Sequence, residues 1–333
     1  MTPNPHTLTP LTDTERTLGV VVGFDGSEQS FLALHYAARA AQRRNTQLTV
    51  VNAYRLPAHF YSTLAALPPE GEADLPRQDS EAVLEQAHEY LKNYPGHVVT
   101  HSVKGDAAGV LVKLSGSAQL VVLGERGRGG FVGRIVGSVA TAVPAHAHCP
   151  TVIVPDSYDP QAGVGPDEGR FSPAQDPRPV VVGVDGSSIS RVAALQAAEA
   201  AAERGAPLHA IIALLPLDDV TGWYPGIGFD SSYAEQRRRE LEEHAQAEAA
   251  WLQSRVPGAQ VSGAVEVGAA EDVLAQRSAE AQLTVVGTRG RGGLRSALLG
   301  STSRSVLTAA AGPVMIVPEL PDPRLKDQPQ FPA

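Results

Sequence analysis

The phrase GERGRGGFVGRIVGS at residues 124–138 returns as GTRGRGGLRSALLGS at residues 287–301, with eight of fifteen positions identical. Nothing else constrains the fold as much, because a match at fixed spacing marks two copies of one folding unit. The repeat extends outward on both sides. LGVVVGFDGSEQS (18–30) recurs as RPVVVGVDGSSIS (178–190), so Gly23 meets its counterpart Gly183 160 residues later, and PTVIVP (150–155) recurs as PVMIVP (313–318) at an offset of 163. A net insertion of three residues separates the halves, which indicates a duplicated domain and not a solenoid. A chain of 333 residues allows each copy to bury its own core.

Within each copy, short β-branched runs alternate with helical stretches. VVVGF (20–24) leads through Asp25, Gly26 and Ser27 into the Ala-rich stretch 28–44, and LTVVNA (48–53) follows. Val83, Ala87, Leu91 and Tyr94 then fall at helical spacing, before HVVTHSV, a short helix opening near Asp106, QLVVLG (119–124) and the closing VIV. In the second copy Leu241, Ala245, Ala249, Leu252 and Val256 mark the corresponding helix. Strands separated by helices imply parallel pairing with right-handed crossovers, hence α/β domains with a doubly wound sheet and a ligand crevice at the carboxyl ends of the strands. Aromatics are only 5% of the chain, so these cores are built from Val, Leu, Ile and Ala, as buried parallel strands usually are. The expected layout is a disordered tail (1–16), a first domain (17–155), a Pro-, Gly- and Asp-rich linker (156–177), a second domain (178–318) and a C-terminal tail (319–333), also expected to be disordered.

The formal charge of −9 argues against nucleic acid and anionic membrane as partners, since both need a basic footprint. Cys149 is the single cysteine, so no intrachain disulfide forms, and a reducing compartment is the simplest reading. The first sixteen residues lack the apolar run of a secretory signal, and no apolar stretch approaches bilayer length. A cytoplasmic location is the expectation.

Each glycine phrase starts where an apolar strand stops and ends, at Gly137-Ser138 or Gly300-Ser301, where a helix begins. A strand, a glycine loop and a helix N-terminus form an anion cradle, because backbone N–H groups and the helix dipole point at one place. Glycine lets the main chain approach a phosphate, and the Ser138 and Ser301 hydroxyls add donors. Arg126, Arg128, Arg289 and Arg291 either clamp phosphates, with Arg126 and Arg289 the stronger candidates, or are solvated loop arginines. Neither a P-loop ending nor the G-x-G-x-x-G spacing after a first strand is present.

With GFDGS, GVDGS and CPTVIVP, the pattern G-x2-G-x9-G-S (Gly124, Gly127, Gly137, Ser138; Gly287, Gly290, Gly300, Ser301) resembles the universal stress protein family in its tandem, ATP-binding form. The resemblance implies that each domain is a five-stranded parallel sheet with helices on both faces, Rossmann-like and akin to the adenine nucleotide alpha hydrolase fold, with ATP, accompanied by Mg²⁺, at the switch point. It implies that Asp25 and Asp185 lie by the ribose and adenine, and that the backbone near Ala53 and Ala213 meets the adenine edge. It places Gly127, Gly137, Ser138 and Val139, with Gly290, Gly300, Ser301 and Thr302, around the phosphates. It also implies an intramolecular pseudo-dimer joined by the last strands, a homodimer being a further arrangement; the protein partner is not named by the sequence. A carboxylate at the end of the first strand suits ribose hydroxyls on physical grounds too. Capping the following helix is its other role, for which Ser27 and Ser187 stand nearer.

Glu125 departs from the pattern, its counterpart being Thr288. Turned toward phosphates, a carboxylate costs on the order of 1 to 4 kcal/mol, which makes the second site the safer one; facing solvent or assisting Mg²⁺, it leaves both sites usable. His146, His148 and Cys149 are too few for a convincing metal site, and none is expected from protein groups alone. RRRELEEH (237–244) reads as a solvated helix face, and Trp223, Tyr224 and Phe229 either lid the adenine or pack elsewhere. No nucleophile and base recur beside both loops, so the expectation is a nucleotide-dependent regulator with at most weak ATP hydrolysis and no catalytic residue. A slow ATPase or adenylyl-transferring enzyme is the alternative, and a ligand-free interaction scaffold the third reading.

Overall fold

The computed structural model describes residues 16–55, 74–128, 136–162, 169–172, 176–216, 231–290 and 299–332. The chain divides into two compact units at Pro173.

In the first unit β1 (Val20–Gly23), β2 (Leu48–Tyr54), β3 (Val98–Lys104), β4 (Leu120–Gly124) and β5 (Thr151–Val154) form a parallel sheet in the order β3-β2-β1-β4-β5. The helices are α1 (Glu28–Arg43), α2 (Leu75–Tyr90), α3 (Ala107–Ser115) and α4 (Ser138–His146). The second unit repeats the plan: β6 (Val180–Gly183), β7 (Pro207–Leu214), β8 (Gln260–Val267), β9 (Leu283–Gly287) and β10 (Val314–Val317), ordered β8-β7-β6-β9-β10, with α5 (Ser188–Arg204), α6 (Ser231–Arg255), α7 (Ala270–Ser278) and α8 (Ser301–Ala309). The three-layer α/β reading therefore holds in each half.

Val20, Val21 and Val22 are fully buried, as continuous β-branched runs covered on both faces should be. The register Val22↔Val50 on one side and Val22↔Val122 on the other makes β1 the central strand. The chain travels outward from β1 to β3, then returns to β4 on the other flank. The strand order thus reverses between β1 and β4, and between β6 and β9, which opens a crevice at the carboxyl ends of those strands. Helices α1 and α5 start from Ser27 and Ser187, whose hydroxyls accept from the Ser30 (3.3 Å) and Ser190 (3.1 Å) amides. Both copies leave these helices through a left-handed residue, Asn45 (φ 48°) in the first and Gly205 (φ 61°) in the second.

Three expectations about the flanks are corrected. Arg16, counted with the N-terminal tail, is buried, with its guanidinium donating to the carbonyls of Ser115 (3.2 Å), Ala118 (2.6 Å) and His148 (2.9 Å). The stretch after β5, expected to be an extended linker, folds back on α1: Arg39 donates to the carbonyls of Pro160 (2.8 Å) and Arg170 (3.4 Å), and Phe171 is buried among His35, Tyr90 and Tyr94. Residues 319–332, expected to be disordered, pack on the second domain with Leu320 and Gln328 buried and Pro323–Asp327 in a 3₁₀ turn. Their Pro and charge content reads as a solvated tail, but several of these charges find partners on the helices beneath. Residues 1–15, Arg291 and the loop carrying Trp223, Tyr224 and Phe229 lie outside the described residues.

Candidate functional site

At the switch point of the first domain lies a crevice of about 630 Å³, and at that of the second one of about 530 Å³. Each is walled by the tip of the first strand, the end of the second, the glycine loop and the following helix. Asp25, Ala53, Gly124, Arg126, Gly127, Gly137, Ser138 and Val139 all line the first. Asp185, Ala213, Gly287, Arg289, Gly290, Gly300, Ser301 and Thr302 all line the second. The structure thus brings together, in each half, the set named from the sequence.

Asp25 organises the first site. Its Oδ1 accepts from the Ser27 amide (3.0 Å) and hydroxyl (2.5 Å), and its Oδ2 from the Arg128 amide (3.0 Å). Burial pulls its pKa upward, but these donors outweigh it and hold the carboxyl below its ordinary value, so it is ionised. Ser27, and not Asp25, caps α1; the carboxylate instead ties the strand tip to the glycine loop. Asp185 accepts from the Ser187 amide (3.0 Å) in the same way. Gly127 and Gly290 are small for this reason: a Cβ on Gly127 would lie 2.5 Å from Asp25 Oδ2, and one on Gly290 would collide with the Asp185 carboxylate. Gly124 and Gly287 serve close packing instead, since a Cβ there meets Gln29 of α1 or Ile189 of α5.

The far wall of each crevice is a helix N-terminus. Helices α4 and α8 begin from Gly137 and Gly300 in extended conformation, and no side chain caps either one. The first turns, Ser138 to Ala140 and Ser301 to Ser303, line the crevices, so N–H groups that the helix itself does not satisfy face the open space. The loops are braced beneath them, with the Gly137 and Gly300 amides donating to the carbonyls of Glu125 and Thr288, both at 2.8 Å.

The halves differ at the rim. In the first, Gln29 Oε1 accepts from the Arg126 amide (2.6 Å); the corresponding residue of α5, Ile189, has no acceptor to offer. Arg126 turns its guanidinium to Asp156 (2.8 Å), whereas that of Arg128 lies over the Gly26 turn. Glu125 is 9% exposed and lines the crevice, which removes the solvent-facing alternative. On the outer wall α2 supplies Asp79 where α6 supplies Arg237. Arg237 is therefore not part of a merely solvated face, although Arg238 and Arg239 pair with Glu242 and Glu235 as such a face does.

Sequence reasoning missed Gln29, Arg237 and Phe331. Gln29 was signalled only by lying four residues after Asp25, at the start of the helix, and Phe331 by being the one aromatic residue beyond β10. His146 and His148 are exposed while Cys149 is buried, its thiol pushed up to about 12 by burial. Among the described residues no group of three His, Cys, Asp or Glu is placed to hold a metal ion, and no helix is long and apolar enough to cross a membrane.

The sequence profile of the universal stress protein family matches residues 19–155 and again 177–318. The chain is similar to universal stress protein Rv2623 of Mycobacterium tuberculosis (strain H37Rv), with 36% identity over 311 residues covering 91% of this chain and 97% of that protein. It is 34% identical over 304 residues to universal stress protein Rv2005c of the same strain, covering 90% of this chain and 96% of that one. Among solved structures, a universal stress protein from Archaeoglobus fulgidus DSM 4304 shares the fold, with a TM-score of 0.61 and 20% identity over 91% of this chain and 99% of its own.

Proposed function

The chain belongs to the universal stress protein family, and from that premise we propose that both crevices take an adenine nucleotide, ATP with Mg²⁺ on its phosphates, as a regulatory ligand. The observation that carries the reading is the pair of uncapped helix N-termini, α4 and α8, opening into crevices of about 630 and 530 Å³ at the two switch points. Crevices of this size suit a nucleotide, and first-turn amides suit its phosphates. Asp25 and Asp185 line the same crevices at the tips of β1 and β6, where a carboxylate can accept from ribose hydroxyls. The Ala53 and Ala213 backbones, at the ends of β2 and β7, offer N–H and C=O groups to a base edge.

The role is binding and not turnover. Glu125 is the one acidic residue within the two glycine phrases, and Thr288 replaces it in the second half. Occupancy acts through stability: a ligand at a hundredfold excess over its dissociation constant stabilises the bound form by about 2.7 kcal/mol, enough to shift a conformational or partner equilibrium. The function is a cytoplasmic one. The test is to denature the purified protein, identify the nucleotide released and count it per chain, with a thermal shift on adding ATP and Mg²⁺ to stripped protein. Adenine nucleotide at one to two per chain is expected, with hydrolysis far below about 1 s⁻¹. No nucleotide and no thermal shift would refute the reading.

A further inference from the structure

After β10 the chain runs back over α5 and α6, fastened along its length. Arg324 pairs with Glu199 of α5 (2.7 Å) and Asp327 with Arg255 of α6 (2.9 Å). Gln328 receives Arg191 at its side-chain oxygen (2.7 Å) and its carbonyl (3.1 Å), while its own amide reaches the buried Glu248. These anchors bring the segment to the second crevice. There the Phe331 ring lies against that of His244 of α6, with 4.8 Å between centroids, and the Pro332 carbonyl accepts from Arg237 (3.2 Å). The ring also rests on the turn next to Asp185, so close to Gly186 that a methyl group there would run into it. Phe331 and Arg237 both line the crevice.

Which part of a ligand the ring meets follows from the crossovers. Helix α5 packs with α6 and α7 with α8, because the chain steps outward from β6 to β8 and then returns through β9 to β10, and right-handed crossovers put the two pairs on opposite faces of the sheet. Phe331, held by α5 and α6, therefore stands across the crevice from the N-terminus of α8, the pole suited to phosphates. What it faces is the nucleoside end of a nucleotide whose phosphates lie at α8. The first half does not repeat the arrangement. Over the matching Gly26 stand the Arg128 guanidinium and the Gln86 carboxamide, and the aromatic residue of the segment after β5, Phe171, is buried among His35, Tyr90 and Tyr94 instead of lining the crevice.

We propose that the segment after β10 is part of the second nucleotide site, with Phe331 supplying the apolar wall against which the base and ribose of the ligand lie. The inference rests on the nucleotide reading of the second crevice. An aromatic ring offers a base a large contact area and removes that area from water. Gly186, His244 and the anchors at Arg324, Asp327 and Gln328 seat the ring before a ligand arrives, so ordering it costs little at the moment of binding. The first site, whose cover over Gly26 comes from its own loop and from α2, does not depend on this segment.

The experiment is calorimetric titration of the full chain, stripped of nucleotide, with ATP and Mg²⁺, comparing wild type, Phe331→Ala and a chain ended at Gln330, which keeps every anchor named above. The two variants are expected to bind about tenfold more weakly in one binding event, equal to about 1.4 kcal/mol, with the other unchanged. A second readout separates contact with the ligand from support of the fold. In Phe331→Trp the introduced indole is expected to change its emission when ATP is added, beyond any change in wild type, which carries Trp223 and Trp251. Equal affinities, tighter binding by the variants or a loss shared by both events overturns the inference, and so does an emission change no larger than that of wild type. Absence of binding in wild type and variants alike refutes the nucleotide reading itself, a result distinct from wild-type binding that the variants retain in full.

Discussion

Replacing Gly127 by Ala tests whether the carboxylate of Asp25 holds the first glycine loop. The added methyl would sit 2.5 Å from Asp25 Oδ2, well inside contact distance, so one of the two must move. The loop is the softer partner, because Asp25 is also held by the Ser27 amide and hydroxyl. What is lost is the Arg128 amide bond to Oδ2. Bonds to a charged acceptor are worth about 1.5 to 3 kcal/mol, and this one lies near solvent, so the lower end, about 1.5 kcal/mol, applies. For a domain of this size that corresponds to a fall of about 3 to 6 °C in the melting temperature. Calorimetry of Gly127→Ala, Asp25→Asn and the double variant separates this contact from general strain. If the two residues act through one bond, the double variant loses about 1 kcal/mol less than the singles summed. Strict additivity, or a Gly127→Ala melting temperature equal to wild type, would show that the loop is held by something else.

Three further outcomes are expected. Gly300→Val sets a branched side chain at the entry to α8, where a Cβ already stands 3.3 Å from the Arg289 Cα, and should remove one nucleotide per chain; unchanged stoichiometry would place the phosphates elsewhere. Glu125→Thr copies the second site into the first and should tighten ATP there by about 1 to 4 kcal/mol in a titration, whereas an unchanged constant means the carboxylate does not feel the phosphates. His35, buried, beside Arg39 and Arg170, is held at about 3 against its usual 6.5. The unfolded chain therefore binds the extra proton first, and the stability that depends on neutral His35 is complete above pH 6.5 and lost as pH falls toward 3, at about 1.4 kcal/mol per unit. His35→Leu, which installs the counterpart Leu195, should flatten acid unfolding by one proton; an identical pH slope would contradict the assignment.

The scaffold was legible because its signals are main-chain requirements. A Val-Val-Val-Gly strand, an Asp-Gly-Ser turn and a Gly-Ser helix start each leave a mark on residue type, twice over and at one spacing. The rim was not legible, because it is made of side chains that reach in from elsewhere. Gln29 looks like any helix polar residue until its carboxamide is seen on the Arg126 amide. Arg237 sits in a charged run whose next two members do face solvent. The segment 319–332 has the composition of a tail, and only the pairing of Arg324, Asp327 and Gln328 with helices far away in sequence shows otherwise.

The same contrast bears on why a chain keeps two copies of one site. If the copies were redundant, differences would scatter over the surface. Instead several gather at the two crevices: Gln29 against Ile189 under the loop, Glu125 against Thr288 beside it, and Asp79 against Arg237 on the outer wall. The first crevice gains carboxylates and the Gln29 carboxamide on its loop; the second loses a carboxylate and gains a cation. Two sites so arranged are expected to fill at different nucleotide concentrations, because carboxylates oppose the phosphates in the first and Arg237 attracts them in the second. A chain with that property holds a single nucleotide over a range of concentrations that widens with the difference between the sites, where an identical independent pair is singly occupied mainly around half saturation. Restoring symmetry with Glu125→Thr and Asp79→Arg together should merge the two binding events into one, and two events that stay apart in that variant would mean the rim residues do not set the difference.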